Sequence, residues 1–285
     1  MSLLFRFLAS LPLIWVQRLG AAAGWLVYGL SPRYRRRLRA NLGIAMGSVP
    51  RSLLRAAVAE AGKQALEFPW ILLRAQQEVV DKVVDVQGWE VVEDARAAGQ
   101  GILYLTPHLG CFEITAQYCS RSAPITVLYR PPRQAALGPL IRHGRERGQI
   151  RMAPADMGGV RRLIQSLRKG EAVGMLPDQA PSVGEGRWIP FFGRPAWTMT
   201  LAARLSEVQG VQVVLVWAQR LPGGAGYCFR LAPPDPPLEG DLEARMLRIN
   251  QEMERLIRAC PAQYLWGYNR YKRPAGVPPP DAPAA

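Results

Sequence analysis

Between residues 83 and 231, short apolar runs recur, separated by stretches of helical spacing or by turn signals. Ile102 to Thr106 reads ILYLT, Ile125 to Tyr129 ITVLY, Ala172 to Leu176 AVGML and Val211 to Trp217 VQVVLVW. Runs this continuous suit strands covered on both faces, which is the signature of a parallel sheet. Val83 to Val86 and Tyr227 to Leu231 add two more strands. Helical patterns fill the gaps: a stretch after Gly88 to Ala98, Phe112 to Arg121, Ala135 to Arg147 and Val160 to Lys169, with Leu242 to Ala259 after the last strand. The alternation predicts an α/β domain, a mostly parallel mixed sheet flanked by helices.

The rest of the chain is bounded by charge. Its 285 residues carry 36 basic and 22 acidic side chains, a net +14. The first 59 residues contain no acid and nine arginines, so most of the excess lies there and calls for an anionic partner. Phe7 to Leu30 is largely apolar and is followed at once by the cluster Arg33 to Arg39. A nucleic-acid arm does not need such an apolar neighbour. We expect residues 1–52 to be an uncleaved membrane anchor and its basic juxtamembrane segment, spanning the bilayer or lying in its interface. Leu53 to Val80 reads as helix with a break at Pro69. The body is expected over 53–273, and the Pro/Ala-rich tail 274–285 is expected to be disordered. Four cysteines without a CxxC pair suggest neither a zinc site nor a disulfide framework.

The segment that carries chemistry is ILYLTPHLGCFEI, Ile102 to Ile114. Pro107 keeps Thr106 extended, so His108 stands at a strand end, the place where α/β sheets build their sites. With a turn at Leu109–Gly110, Glu113 on the first turn of the next helix can reach the imidazole. A histidine backed by a carboxylate is a general base with an orienting partner. A lone His-x4-Glu is weak by itself, and a hydrogen-bonded structural histidine is the commoner case. Cys111, three residues from His108, offers a rival covalent mechanism, although a buried structural thiol is commoner. His143 lies in a basic, exposed context.

Five strings occur in order: TPHLGCFE, VLYRPPR, GMLPDQAP, WIPFFGRPA and CPAQYLWGYNRYK. Together they resemble the lipid A biosynthesis acyltransferases, late lauroyl/myristoyl-type enzymes of Gram-negative inner membranes. These are similar to the wider glycerolipid acyltransferases marked by His-x4-Asp/Glu. The resemblance runs from the N-terminal segment to about Arg273. It implies His108 as base and Glu113 as its partner, with Tyr129, Arg130, Asp178, Gln179 and Gly110 at the substrates. It further implies acyl carrier protein as donor, a Kdo-lipid IVA-type lipid A precursor as acceptor, no cofactor or metal, and the cytoplasmic face of the inner membrane. The chain departs from the family at Cys111-Phe112, often Asn-Trp, and at Tyr268, often His. The residues leave other glycolipid or lysophospholipid acceptors open, and also a non-enzymatic basic membrane-surface protein. Phe191, Phe192 and Gly193 are candidates for an acyl channel or a core cluster. Trp266, Tyr268 and Tyr271 are candidates for a membrane-proximal patch or simple packing. Arg142 to Arg151 and Arg161 to Lys169 are candidate docking surfaces for an acidic carrier.

Overall fold

The computed structural model describes residues 2–130 and 138–280. Residues 2–80 fold into α1 (Ser2–Ser10), α2 (Leu13–Leu30), α3 (Pro32–Met46), α4 (Arg51–Leu73) and α5 (Gln76–Val80). The body continues through β1 (Val83–Gln87), α6 (Glu90–Ala97), β2 (Gly101–Leu105), α7 (Glu113–Cys119) and β3 (Ile125–Tyr129). Then come α8 (Gly138–Arg145), β4 (Ile150–Pro154), α9 (Met157–Arg168) and β5 (Ala172–Met175). A hairpin of β6 (Gly186–Phe191) and β7 (Arg194–Met199) and the short α10 (Leu201–Ser206) lead to β8 (Val211–Arg220), β9 (Tyr227–Ala232) and α11 (Leu242–Ala259).

The sheet order is β1-β9-β8-β2-β5-β3-β4. From β8 to β4 every pairing is parallel, while β9 runs antiparallel to β8 and β1 lies parallel to β9. The expected mostly parallel mixed sheet is therefore what forms. Chain order leaves a slot between β2 and β3 that β5 fills, and ligand crevices open at such switch points, beyond the carboxyl ends of the strands. Alternate strand residues bury opposite faces. Leu103, Leu105, Val173 and Met175 pack under α9, α10 and α11, whereas Ile102, Tyr104, Ile125 and Val214 pack under α7.

The N-terminal segment differs from expectation. The apolar run is interrupted at Leu11–Pro12, and no helix among the described residues is long and apolar enough to cross a membrane. The apolarity has two destinations. Leu13, Val16, Gly20, Gly24 and Tyr28 share one face of α2, at helical spacing, and are buried. There α2 crosses α4 so closely that a Cβ on Gly62 would stand 2.0 Å from the carbonyl oxygen of Gly20. The outward faces of α1 and α2 expose Phe7, Trp15, Trp25, Leu26 and Leu30.

Two further expectations are corrected. Pro69 does not break α4, because Trp70, Ile71 and Leu72 are buried just beyond it and packing holds the last turn in place. The tail is laid against the body as far as Pro280: Val277 packs on Trp197, and the Trp188 indole donates to the carbonyl of Pro278 at 2.9 Å.

Candidate active site

Leu105 of β2 is in register with Met175 of β5. Three residues beyond each lie His108 and Asp178, so parallel pairing of adjacent strands delivers both to the same point past the sheet edge. One Asp178 oxygen accepts the His108 backbone N–H at 2.9 Å, and the other lies 2.7 Å from the ring Nδ1. A buried carboxylate only accepts, so Nδ1 carries the proton and Nε2 keeps its lone pair. That lone pair faces the Gln179 amide nitrogen at 3.0 Å. The Asp178 side chain is 1% exposed and the His108 side chain 16%, so the carboxylate is buried behind a ring that, with Gln179, borders the cavity. Burial alone would raise the Asp178 carboxyl. The positive charge His108 carries whenever its ring is protonated, its two hydrogen bonds and the Arg270 guanidinium hold it below the usual carboxylate range instead.

The C-terminal segment braces this arrangement from above. Leu265 N–H donates to the His108 carbonyl at 3.1 Å, and the Tyr268 hydroxyl accepts from Ala180 N–H at 3.0 Å, next to Gln179. Arg270 is buried and bound to the Trp197 carbonyl and the Thr198 hydroxyl, both at 2.7 Å. Trp266 is 2% exposed and the Tyr271 hydroxyl bonds the Phe191 carbonyl, so this cluster is packing and not a membrane-facing patch.

Glu113, expected beside His108, opens α7 and binds Arg145 with both carboxylate oxygens, one contact measuring 3.0 Å. No hydrogen bond links it to His108 among the described residues, although both line the same cavity. Burial disfavours charge on Arg145, but Glu113 outweighs that and leaves its pKa raised. Nothing in the run RHGRERG distinguishes Arg145 from its solvated neighbours, so sequence reasoning missed this partner. Arg145 and Arg147 are not the free docking cations expected: Arg147 is spent on the carbonyls of Ile71 and Arg74. Arg161, Arg162, Arg168 and Lys169 do lie exposed on or just after α9.

Arg130 reaches from the end of β3 to Glu185 at 3.3 Å and to Ser182, across the cavity mouth. Two other candidates do not line the cavity. Tyr129 packs against the buried cluster under α7. Gly110, at φ +60°, makes the turn that brings the chain against β8, where a Cβ would lie 2.0 Å from the Ala218 carbonyl. Its own carbonyl accepts from Gln64 at 3.2 Å and from Arg220 at 3.4 Å. Arg220 is itself buried against Glu67 and Glu60. Phe191 and Phe192 are core residues and are not among those lining this cavity. Cys111 is 3% exposed and outside the cavity, and burial followed by the nearby Glu67 charge pushes its thiol well above the ordinary value. That environment suppresses the thiolate a nucleophile needs.

The cavity measures about 840 Å³ and passes over the carboxyl edge of the sheet. Below His108 on the α7 side it is walled by Ala116, Ile125, Val127, Ile150 and Met152. On the other face it opens past Met157, Val160, Glu185, Met199 and Arg204. Two lobes thus flank His108: one under α7, mostly aliphatic apart from Thr115, Gln117 and the Glu113–Arg145 pair, and one that includes Asp156, Glu185 and Arg204. Among the described residues no cluster of three potential metal ligands exists.

A family model described as bacterial lipid A biosynthesis acyltransferase matches residues 2–273. The chain is 32% identical over 198 residues to the lipid A biosynthesis lauroyltransferase of Escherichia coli K12, covering 68% of this chain and 64% of that one. It is 27% identical to the palmitoleoyltransferase of the same strain, over 69% of this chain and 64% of the relative. With the myristoyltransferase the identity is 25% over 283 residues, 90% of this chain and 86% of the other. The matched region therefore spans just under two thirds of the first two relatives.

Proposed function

The chain belongs to the bacterial lipid A biosynthesis acyltransferase family, and from that premise we propose that it transfers a fatty acyl chain from a carrier-protein thioester to a hydroxyl of a lipid A precursor. The observation that carries the mechanism is the contact of Asp178 with His108 Nδ1, which assigns the proton to that nitrogen and leaves Nε2, beside Gln179 at the cavity, to take a proton. The acceptor hydroxyl takes the place of the Gln179 amide at Nε2. As its oxygen attacks the thioester carbon, its proton passes to Nε2, and Asp178 stabilises the imidazolium. The tetrahedral intermediate collapses with cleavage of the C–S bond, and the imidazolium returns the proton to the departing thiolate. No acyl-enzyme is formed.

Glu113 keeps a part in this reading. Its carboxylate neutralises Arg145 on the cavity wall, so the pair adds no net positive charge near a ring that must itself become cationic. Arg130, released from Glu185, and Arg204 are suited to phosphate at the lobe away from α7. The donor is acyl carrier protein, whose acidic surface suits Arg161 and Arg162 beside the mouth at Met157 and Val160. The acceptor is of the Kdo-lipid IVA type.

The outward apolar face of α1 and α2, with the exposed Arg33, Arg36 and Arg39 of α3, seats the enzyme in the cytoplasmic leaflet of the inner membrane as an interfacial helical module. The chemistry is tested by transfer from acyl carrier thioester to Kdo-lipid IVA. His108→Ala should lower turnover by ~10²-fold or more, whereas Cys111→Ala should stay close to the parent protein. A covalent acyl adduct on Cys111, or turnover surviving His108→Ala, would overturn the mechanism.

A further inference from the structure

β5 lies in the middle of the sheet, between β2 and β3, yet Gly174 is the one residue of this strand that is not buried. It opens into the α7-side lobe. Strand alternation sends residue 174 to the same face as Ala172. A Cβ built there would point at Val127 Cγ1, 3.2 Å away, and Ile125 Cδ1, 3.3 Å away. Gly174 is in register with Tyr104 on one side and Val127 on the other. One layer deeper, Ala172 is in register with Ile102 and Ile125, all buried, and these close the floor. From the level of His108 and Asp178 to that floor is six strand positions, or ~20 Å at the rise of a parallel strand.

We infer that Gly174 sets the length of the acyl chain this enzyme transfers. Its absent side chain leaves open the last stretch of the α7-side lobe, where the terminal methylenes of the chain lie against Val127 and Ile125. The inference rests on the acyl-transfer reading, and it assigns the α7-side lobe to the donor because its lining beyond the Glu113–Arg145 pair carries no charge and is largely aliphatic. The other lobe, with Glu185 and Arg204 in its lining, suits a polar headgroup. A valine at 174 would place two methyl groups across the lobe about four strand positions below His108. The lower end would then be shut off while the reacting atoms kept their space. A hydrophobic pocket discriminates single methylenes by ~10-fold or more, so blocking several should be easily read.

The experiment uses the full chain, Kdo-lipid IVA and a series of saturated acyl carrier thioesters of increasing length. For the parent protein kcat/KM should peak at one length. In Gly174→Val the ratio of kcat/KM for that donor over a donor a few carbons shorter should fall ~10-fold or more. Gly174→Ala, which needs its neighbours to give only slightly, should shift the ratio the same way by less. Ile150→Ala, at the far end of the lobe, should favour longer donors. An equal loss on all donors, an unchanged ratio, or a changed preference for the acceptor's chains alone would overturn the inference. If Gly174→Val does not fold, Gly174→Ala and Ile150→Ala decide it, since shifts in the same direction contradict it. If the parent protein transfers nothing from any donor, the acyl-transfer reading itself falls, and the inference with it.

Discussion

Replacing Asp178 by asparagine isolates what the buried carboxylate does. Both of its oxygens accept, one from the His108 backbone N–H at 2.9 Å and one from Nδ1–H at 2.7 Å. An amide has one acceptor and one donor end. Whichever way it is placed, one His108 group meets an NH₂. The backbone N–H cannot change its role, so the carbonyl oxygen goes to it and the NH₂ faces Nδ1. The imidazole must then accept at Nδ1 and carry its proton on Nε2, the atom that receives the acceptor's proton in the proposed mechanism. The same carboxylate-to-amide change in a Ser-His-Asp triad lowers turnover by about 10⁴-fold through the wrong tautomer. At ~1.4 kcal/mol per tenfold, that is ~5.5 kcal/mol of transition-state stabilisation. We expect Asp178→Asn to lower kcat by 10³- to 10⁴-fold, on the scale of that triad, with KM little changed. Combining it with His108→Ala should add almost nothing, because the two act as a unit. Asp178 titrates lower folded than unfolded. Its pairing therefore stabilises the protein above the unfolded carboxylate pKa of about 3.9 and is lost as pH falls through the folded value. The asparagine variant should accordingly show a flatter acid arm in its stability–pH curve. Steady-state kinetics with Kdo-lipid IVA and pH-dependent denaturation read both. Turnover within threefold of the parent, or fully multiplicative losses in the double variant, would refute the tautomer argument.

The helical module makes two further predictions. Gly62→Ala should lower stability by ~1–3 kcal/mol, the usual penalty of overpacking, because its Cβ would meet backbone of α2; chemical denaturation showing an unchanged midpoint would contradict the close crossing. Trp25→Glu together with Leu26→Glu should weaken flotation of the protein with anionic phospholipid vesicles, and raised salt should weaken what remains through Arg33, Arg36 and Arg39. Equal vesicle binding by parent and variant would remove α2 from the membrane-facing surface.

What sequence reveals here follows the range of the interactions involved. β3 and α11 are legible to the residue because their signals are local: a short run apolar but for Thr126 in one case, an Asp241 cap on Ala244 N–H and an amphipathic stripe in the other. β4 is missed because IRMAP carries an arginine and a proline and lies at the sheet edge. The β6–β7 hairpin is missed because its sequence reads as a motif of aromatics, not as alternation. In the site, His108 and Asp178 are both legible as strand-end residues, but their pairing is not. It depends on the Leu105–Met175 register, set by a strand that enters the sheet after β3 and β4. Local spacing made Glu113 the natural partner, while the partner that binds the ring lies 70 residues away. The apolarity of residues 7–30 is legible too. That half of it faces α4 is a fact of packing, and no hydropathy pattern separates protein from lipid as the apolar surroundings.

The clasp of Arg220 on Glu67 and Glu60 has a consequence for the order in which the molecule is made. Both carboxylates sit on α4 and are synthesised early; Glu60 also has Lys63 one turn away, but the countercharge of Glu67 lies 153 residues later. Until β8 emerges, Glu67 is a charge on a helix face destined for burial, and burying it unpaired is strongly unfavourable. The α2–α4 pair can therefore dock onto the body only once the nascent chain has passed residue 220. By then β2, β5, β3 and β4 are all out of the ribosome and free to pair. The same arginine touches the carbonyl of Gly110, so arrival of the clasp also finishes the turn that carries His108. One late arginine thus ties the α2–α4 pair and the turn before α7 to the same strand, β8.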